Sequence, residues 1–317
     1  MGMKNTQIGM IPEEWDVQSF SDTFRFLNNN TYSRAELNYD SGQFRNIHYG
    51  DVLILFPEVL DCTREDVPYI NDGVRISSSA QPLQDGDVVM ADTAEDETVG
   101  KVTEVTNTSD KPVMAGLHTI PFRVKSGEFV PKWLGYYMNS HLYHDQLLPY
   151  IHGTKVSSVS KGSLGDTVII VPKTSEQEKI VNALSDVDAL IEDLKKLIRK
   201  KTDIRQGTMQ MLLSGKHRLD GYSSLWRTSE LSKVTSRIGV GLATSVTQYY
   251  RDSGTIIFRN LNIKENYLDD TDVLYLDEDF ASRNPNKAIH EGDVLTVHTG
   301  YVGITCVVAK KYEGALR

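Results

Sequence analysis

The chain has 317 residues, 39% hydrophobic and 24% charged, with 34 Lys+Arg against 43 Asp+Glu and a formal net charge of −9. That length suits about two domains, and the composition is too apolar for a disordered tail. Its longest apolar runs, Asp51 to Phe56 and Thr167 to Val171, are strand-sized, far short of the roughly 18 residues of a membrane span, so no membrane role is expected. Met1 to Ile11 has no basic segment leading into an apolar run and a cleavage site, which makes a cytoplasmic location the expectation. Cys62 and Cys306 lie far apart without a CxxC partner, which excludes a disulfide framework and a cysteine-built zinc site. Charge is uneven: residues 1–171 hold 13 Lys+Arg against 23 Asp+Glu, 172–218 hold 10 against 7, and 219–317 hold 11 against 13. A chain that grips DNA by bulk charge would be basic overall, so for a nucleic-acid ligand local loops or a partner must supply the attraction.

In chain order, Asp87-Val88-Val89-Met90 reads as a strand, Pro131 to Leu148 as a helix and Thr167 to Val171 as another strand. After Pro172, Ser175 and Glu178 form an S-x-x-E capping box, which predicts a helix start. Ile180, Leu184, Val187, Ile191, Leu194 and Ile198 then alternate steps of four and three, with Leu190, Leu197, Ile204 and Met211 repeating every seventh residue beside them. That is a heptad seam, and Ser214-Gly215 supplies its stop. A helix over 176–214 would be roughly 58 Å long, so much of the seam is expected to meet another long helix. Val273 to Leu276 and Asp293 to Val297 close the series as strands.

The flanks of the helix resemble each other. Trp15 answers to Trp226, and Tyr39-Asp40-Ser41-Gly42 with Arg45-Asn46-Ile47 answers to Tyr250, Ser253-Gly254 and Arg259-Asn260-Leu261. Asp85-Gly86-Asp87-Val88 answers to Glu291-Gly292-Asp293-Val294. The reading is α+β: a mixed α/β domain over 1–171, a long coiled-coil-forming helix over 172–218, and a second copy of the domain over 219–317. Counterparts of the 131–148 helix and the 167–171 strand are missing from that second copy, so it is expected to be truncated or to complete itself with a partner.

Enzymatic signatures are lacking. Gly215-Lys216 is followed by His217 and Gly100-Lys101 by Val102, so no G-x-x-x-x-G-K-[ST] occurs, nor does an N/D-P-P-Y/F motif. Asp193-Leu194-Lys195 mimics a nuclease D-x-K, but residues two apart on a helix do not share a face. His141, His144 and Asp145 have helical metal spacing without two further ligands in view.

The run Gly153-Thr154-Lys155, Leu164 to Pro172, Glu176-Gln177-Glu178-Lys179-Ile180 and Met209-Gln210-Met211-Leu212-Leu213-Ser214-Gly215-Lys216 resembles the central conserved region of type I restriction-modification specificity subunits. The likeness extends to Ile11-Pro12-Glu13-Glu14-Trp15 and to Gly241-Leu242-Ala243-Thr244-Ser245 with Tyr249-Tyr250. It implies a non-catalytic subunit that reads a bipartite sequence in double-stranded DNA with two target-recognition domains and serves as a docking scaffold. Modification subunits with adenine-N6 methyltransferase activity and ATP-dependent restriction subunits would be its partners. S-adenosylmethionine, ATP and Mg are then expected on those partners. The alternative is a coiled-coil adaptor that homodimerises through its long helix, presents two identical first domains and recognises a palindromic split site.

If the copies read different half-sites, residues shared between them are scaffold and base readers lie where they diverge. Asn30, Tyr32, Ser33 and Arg34 are the candidates in the first copy, with an Arg suited to guanine and an Asn suited to adenine. Thr244, Ser245, Thr247, Tyr249, Tyr250 and Arg251 are those in the second. Arg45 and Arg259 are candidate phosphate contacts, which position without specifying. Gly153, Thr154 and Lys155, with Ser157, Ser158, Ser160 and Lys161, form the strongest phosphate candidate, because glycine admits close backbone approach while hydroxyls and lysines donate.

Overall fold

Val88, Val89, Met90 and Ala91 are consecutive apolar residues, and a strand without a polar face needs cover on both sides. The computed structural model describes every residue except 1, 65 and 153–155, and it makes Val88–Ala91 the middle strand of a five-stranded sheet. The order is Phe24–Phe26, Thr119–Val124, Val88–Ala91, Val102–Thr106, Val59–Asp61, antiparallel except for the last pair. On one face Val88 and Met90 join Phe20, Phe122, Trp133 and Tyr143. On the other, Val89 and Ala91 join Ile47, Val52, Leu83 and Val105. A second sheet, Val113–Ala115, Arg45–Ile47, Tyr69–Ile70, Leu37–Asn38, lies in the same unit.

The expected 131–148 helix is broken into Trp133–Met138 and His141–His144. Asn139 is the cause. Its side-chain amide exchanges hydrogen bonds with the Val102 N–H and C=O and donates to Gly135 O, an instance of a short polar side chain competing for backbone groups at a helix end. Buried Glu104 accepts the N–H groups of Lys132 and Gly135 at the start of the first piece; burial raises its pKa, a shift those N–H groups oppose.

The long helix runs Thr174–Leu213, 40 residues, about 60 Å at 1.5 Å per residue. It starts at Thr174, so Ser175 of the expected Ser175/Glu178 capping box lies inside the helix and is not its N-cap; Glu176 N and Gln177 N donate to Lys173 O instead. Glu176 accepts the Trp15 indole N–H at 2.9 Å. Gln177 is buried; its Oε1 accepts Val130 N and its Nε2 donates to Glu128 O and Pro172 O. Val181 is buried one turn on, and Tyr136 Oη donates to Asp188 at 2.5 Å. Beyond that point Leu190, Leu194, Leu197, Ile198, Ile204 and Met211 are all exposed, so the heptad seam is uncovered. This anchoring explains why the compact units are Met1–Gln210 and Met211–Arg317 rather than the three segments expected, with most of the helix belonging to the first. No helix among the described residues is long and apolar enough to cross a membrane.

The second unit repeats one turn of the first bond for bond. In the first, Gly86 N donates to Val105 O, Asp87 N to Gln84 O, Val105 N to Asp87 O, and Asp87 Oδ2 accepts Gln84 N. In the second, Gly292 N donates to Val308 O, Asp293 N to His290 O, Val308 N to Asp293 O, and Asp293 Oδ2 accepts His290 N. Gly86 and Gly292 both have φ +87, the left-handed region that favours glycine. The strands that follow, Val294–Thr296 and Thr305–Val307, pair antiparallel as their counterparts do. Leu37 and Asn38 opposite Ile70 and Tyr69 become Tyr250 and Arg251 opposite Leu276 and Tyr275. Gly42 and Gly254 each abut the carbonyl of that same strand end, Ile70 O and Leu276 O. Ile47, Val52, Leu83, Val89, Ala91, Val105 and Val113 of one core become Phe258, Ile263, Ile289, Leu295, Val297, Val308 and Ala315.

This register corrects one equivalence. Arg45 lies opposite Tyr69 and Ile256 opposite Tyr275, so Arg45 corresponds to Ile256. Arg259 instead stands with His48, each at the N-cap of the following turn.

Gln177→Ala should lower the unfolding free energy of the full chain by about 2 kcal/mol in urea titrations, since it strips three backbone groups, one of them fully buried, of their partner.

Candidate nucleic-acid interface

Ser33–Glu36 and Val246–Tyr249 are the same 3₁₀ turn in the two copies: Glu36 N donates to Ser33 O as Tyr249 N does to Val246 O. The divergent stretches singled out in the sequence therefore occupy one structural position. What they present differs. In the first unit Arg34 makes a bidentate pair with buried Asp51, Nη1 and Nη2 at 2.9 and 2.7 Å, and donates from Nη1 to Tyr39 Oη. Its other neighbour is His48 Nδ1, 3.4 Å from Nη2. The guanidinium is half-exposed and held rigidly by a carboxylate, and most of its N–H groups are taken. Ser33 is exposed, with its N–H and hydroxyl both donating to Glu36.

In the second unit Thr247 replaces Arg34 and Asn262 replaces Asp51, while the cation arrives from the turn below: Arg259, at the position of His48, pairs with Asp272 at 3.1 Å. Thr244, Ser245, Thr247 and Arg259 line one groove together with Asn260, His298 and Thr299. Three of these, Asn260, His298 and Thr299, escaped the sequence reading; His298 and Thr299 follow the Asp293 to Val297 strand directly, and that is the signal that would have found them. Arg251 is tied to Asp277 at 3.2 Å, the place where Asn38 bonds Asn71 in the first unit. Tyr249 stacks on Phe280 with ring centroids 4.1 Å apart, and Tyr250 contributes to the same small core.

Several candidates lie inside the fold. Asn30 is buried, its N–H on Ala115 O, and its counterpart is Leu242, which donates to Arg317 O. Tyr32 is buried with its hydroxyl on Arg75 O. Arg45 is buried too, its guanidinium over the Tyr69 ring and donating to Tyr69 Oη and the carbonyls of Arg64 and Thr63. These three build the platform and offer no surface for a phosphate or a base edge. Gly153, Thr154 and Lys155 lie outside the described residues. Of the rest of that stretch, Ser157 and Ser158 pair with Ala94 and Thr93, and Ser160 caps a short helix whose exposed Lys161 lies over the Phe26 ring at 5.5 Å. His144 Nε2 contacts Val99 O and His141 faces Asp145; no group of three or more metal-binding side chains occurs among the described residues.

A family model described as the type I restriction modification DNA specificity domain matches residues 12–202. The chain belongs to that family. Two specificity subunits of Methanocaldococcus jannaschii are similar to this member: the putative type I restriction enzyme MjaX subunit at 26% identity over 216 residues, and the MjaVIII subunit at 24% over 221. Those alignments cover 67% and 68% of this chain but 48% and 49% of the relatives, so the chain spans about half the length of the curated relatives it matches. A solved structure from work on type I R-M complex assembly matches 94% of this chain and 73% of its own, with TM-score 0.53 and 19% identity, a likeness of fold. The family phrase Glu176-Gln177 thereby gains a physical reading, since it fastens the long helix to the first unit.

His48 is buried and accepts Gly50 N on Nδ1; burial, then the Arg34 cation, lower its pKa. The unfolded chain therefore takes a proton below about pH 6.5 that the folded chain refuses, and stability falls as pH drops through that window. Urea titrations at pH 7 and 5.5 should show a smaller loss for His48→Asn, which keeps a capping acceptor and does not titrate.

Proposed function

We propose that this specificity-domain protein reads DNA with two related units and holds them by its long helix, which also docks partner subunits. The observation that carries the reading is a 40-residue helix with an exposed heptad seam in a chain whose two units repeat one hydrogen-bond pattern yet differ at the turn that carries the cation. Common scaffold with divergent polar tips is what two half-sites of different sequence require. Methyl transfer to adenine and DNA restriction then belong to other subunits, which bring S-adenosylmethionine, ATP and Mg, and the complex acts in the cytoplasm. The exposed seam also favours a second reading, in which two copies pair their helices and read a palindromic split site; light scattering on the isolated chain separates a stable dimer from a monomer.

The test is a map of methylated adenines in cells that carry the chain with its modification subunit. Arg259→Ala should weaken or relax one half-site by about ten- to hundredfold, the worth of a good base contact, and leave the other unchanged. Loss at both half-sites, in a variant with parental stability, would contradict readout by the second unit. A heptad inserted after Leu197 lengthens the helix by about 10 Å and should change the spacer between half-sites without changing either.

Lys161→Ala should lower affinity evenly for all DNA sequences and reduce the slope of log affinity against log salt by nearly one. Salt titrations of binding by fluorescence anisotropy give that slope.

A further inference from the structure

Three loops of the first unit meet at one surface: Tyr49 N donates to Leu117 O, and Asp92 N donates to His118 O. Their side chains continue a line that begins at Arg34. Arg34 Nη2 is 3.4 Å from His48 Nδ1, and the His48 and Tyr49 ring centroids are 4.6 Å apart. Tyr49 then meets His118 edge-on at 5.3 Å, and His118 Nδ1 is 3.4 Å from Asp92 Oδ1. His118 is half-exposed and has φ +52, a left-handed backbone that glycine adopts more readily, so the imidazole stands there against a conformational preference. Asp92 Oδ1 also accepts the Thr93 hydroxyl at 2.8 Å, whereas Asp92 Oδ2 has no partner among the described residues.

The same positions gather in the second unit. Arg34, His48, Tyr49 and Asp92 become Thr247, Arg259, Asn260 and His298, which line one groove. Asp92 and His298 each follow directly on the equivalent core residues Ala91 and Val297, and Thr93 recurs as Thr299. Beneath them the turn bonds of Asp87 and Asp293 are alike. Side chains that change on an unchanged frame are where two half-sites of different sequence are told apart.

Glu95, Asp96 and Glu97 follow Asp92 and are exposed, so this end of the first unit repels phosphate, and the group that Asp92 can hold is a hydrogen-bond donor. The donors in the major groove are cytosine N4 and adenine N6. Adenine sets its N7 acceptor beside the amine, where it opposes a carboxylate; cytosine has no acceptor there. On the reading that each unit meets one half-site, we propose that Asp92 is a specificity-determining residue of the first unit, its unpartnered oxygen accepting N4–H of a cytosine in the major groove of double-stranded DNA. Thr93 and His118 hold the carboxylate in place before binding, which reduces the ordering cost.

The test is a map of methylated adenines from cells that carry the chain with its modification subunit, read position by position in the half-site that Arg259→Ala leaves unchanged. Asp92→Ala should lower discrimination at one G·C pair of that half-site about ten- to hundredfold and leave the other positions and the spacer as they are. Asp92→Asn, whose amide pairs with adenine N6 and N7, should shift the preference at that pair towards A·T, which a change in stability alone does not do. Parental maps for both variants overturn the role of Asp92 and leave two-unit reading intact. A relaxed A·T pair in place of a G·C pair overturns the assignment to cytosine. Even loss at all positions, in a variant that unfolds at the parental temperature, overturns base reading by Asp92. A parental chain that gives no bipartite motif overturns two-unit reading, and the role of Asp92 with it.

Discussion

A strand with apolar side chains on both faces can exist in water only if both faces are covered, and this requirement at Val88–Ala91 organises the first unit. Val88 and Met90 need the helices of residues 133–144 and the aromatic group around Phe20 and Phe122; Val89 and Ala91 need the helix Tyr49–Ile54 and the smaller sheet. At roughly 25 cal/mol per Å² of apolar area, the two cores supply the stabilisation that the acidic surface cannot. The second unit meets half of the requirement. Its strand Val294–Thr296 buries Leu295 against the counterpart of one core and leaves Val294 and Thr296 on the open side.

Duplication and divergence follow different physics within the same copies. The turns at Gly86 and Gly292 are alike because φ +87 excludes most side chains and because one aspartate oxygen must satisfy the turn amide. Neither demand leaves room for variation. The 3₁₀ turns at Ser33 and Val246 need only a backbone bond, so their side chains are free to change, and the cation there comes from Arg34 in one copy and from Arg259, on another loop, in the other. Both guanidinium groups are held by an aspartate, which removes the cost of ordering a long side chain at the moment of binding.

The helix is gripped at one end and bare along most of its length. Its contacts with the first unit include Glu176 on Trp15, Gln177 on three backbone groups, Val181 in the core, and Asp188 on Tyr136. The Tyr136 hydroxyl is pushed up to about 12 by burial and then by Asp188, so it stays a donor at any physiological pH. From Leu190 to Met211 the apolar side chains of the seam are exposed. A stripe of leucine and isoleucine at heptad spacing in water is a standing cost.

The 40-residue helix, the heptad spacing and the strands at 88–91, 168–171, 274–276 and 294–296 were legible in the amino-acid order to within one or two residues, because periodicity and glycine turns are local properties. The family was legible too, through short phrases at fixed spacing. Side-chain destinations were not. Arg45-Asn46-Ile47 and Arg259-Asn260-Leu261 look equivalent as text, yet strand register places Arg45 against buried Tyr69 and Arg259 at a surface cap, since pairing across a sheet counts residues on the partner strand. Asn30 and Tyr32 read as loop polar groups and proved buried, and Asn139 interrupts a helix only because Val102 lies within reach. Local order determined the elements and the repeat; burial and cross-strand register, which depend on residues distant in the chain, decided which side chains face the solvent and which hold the fold.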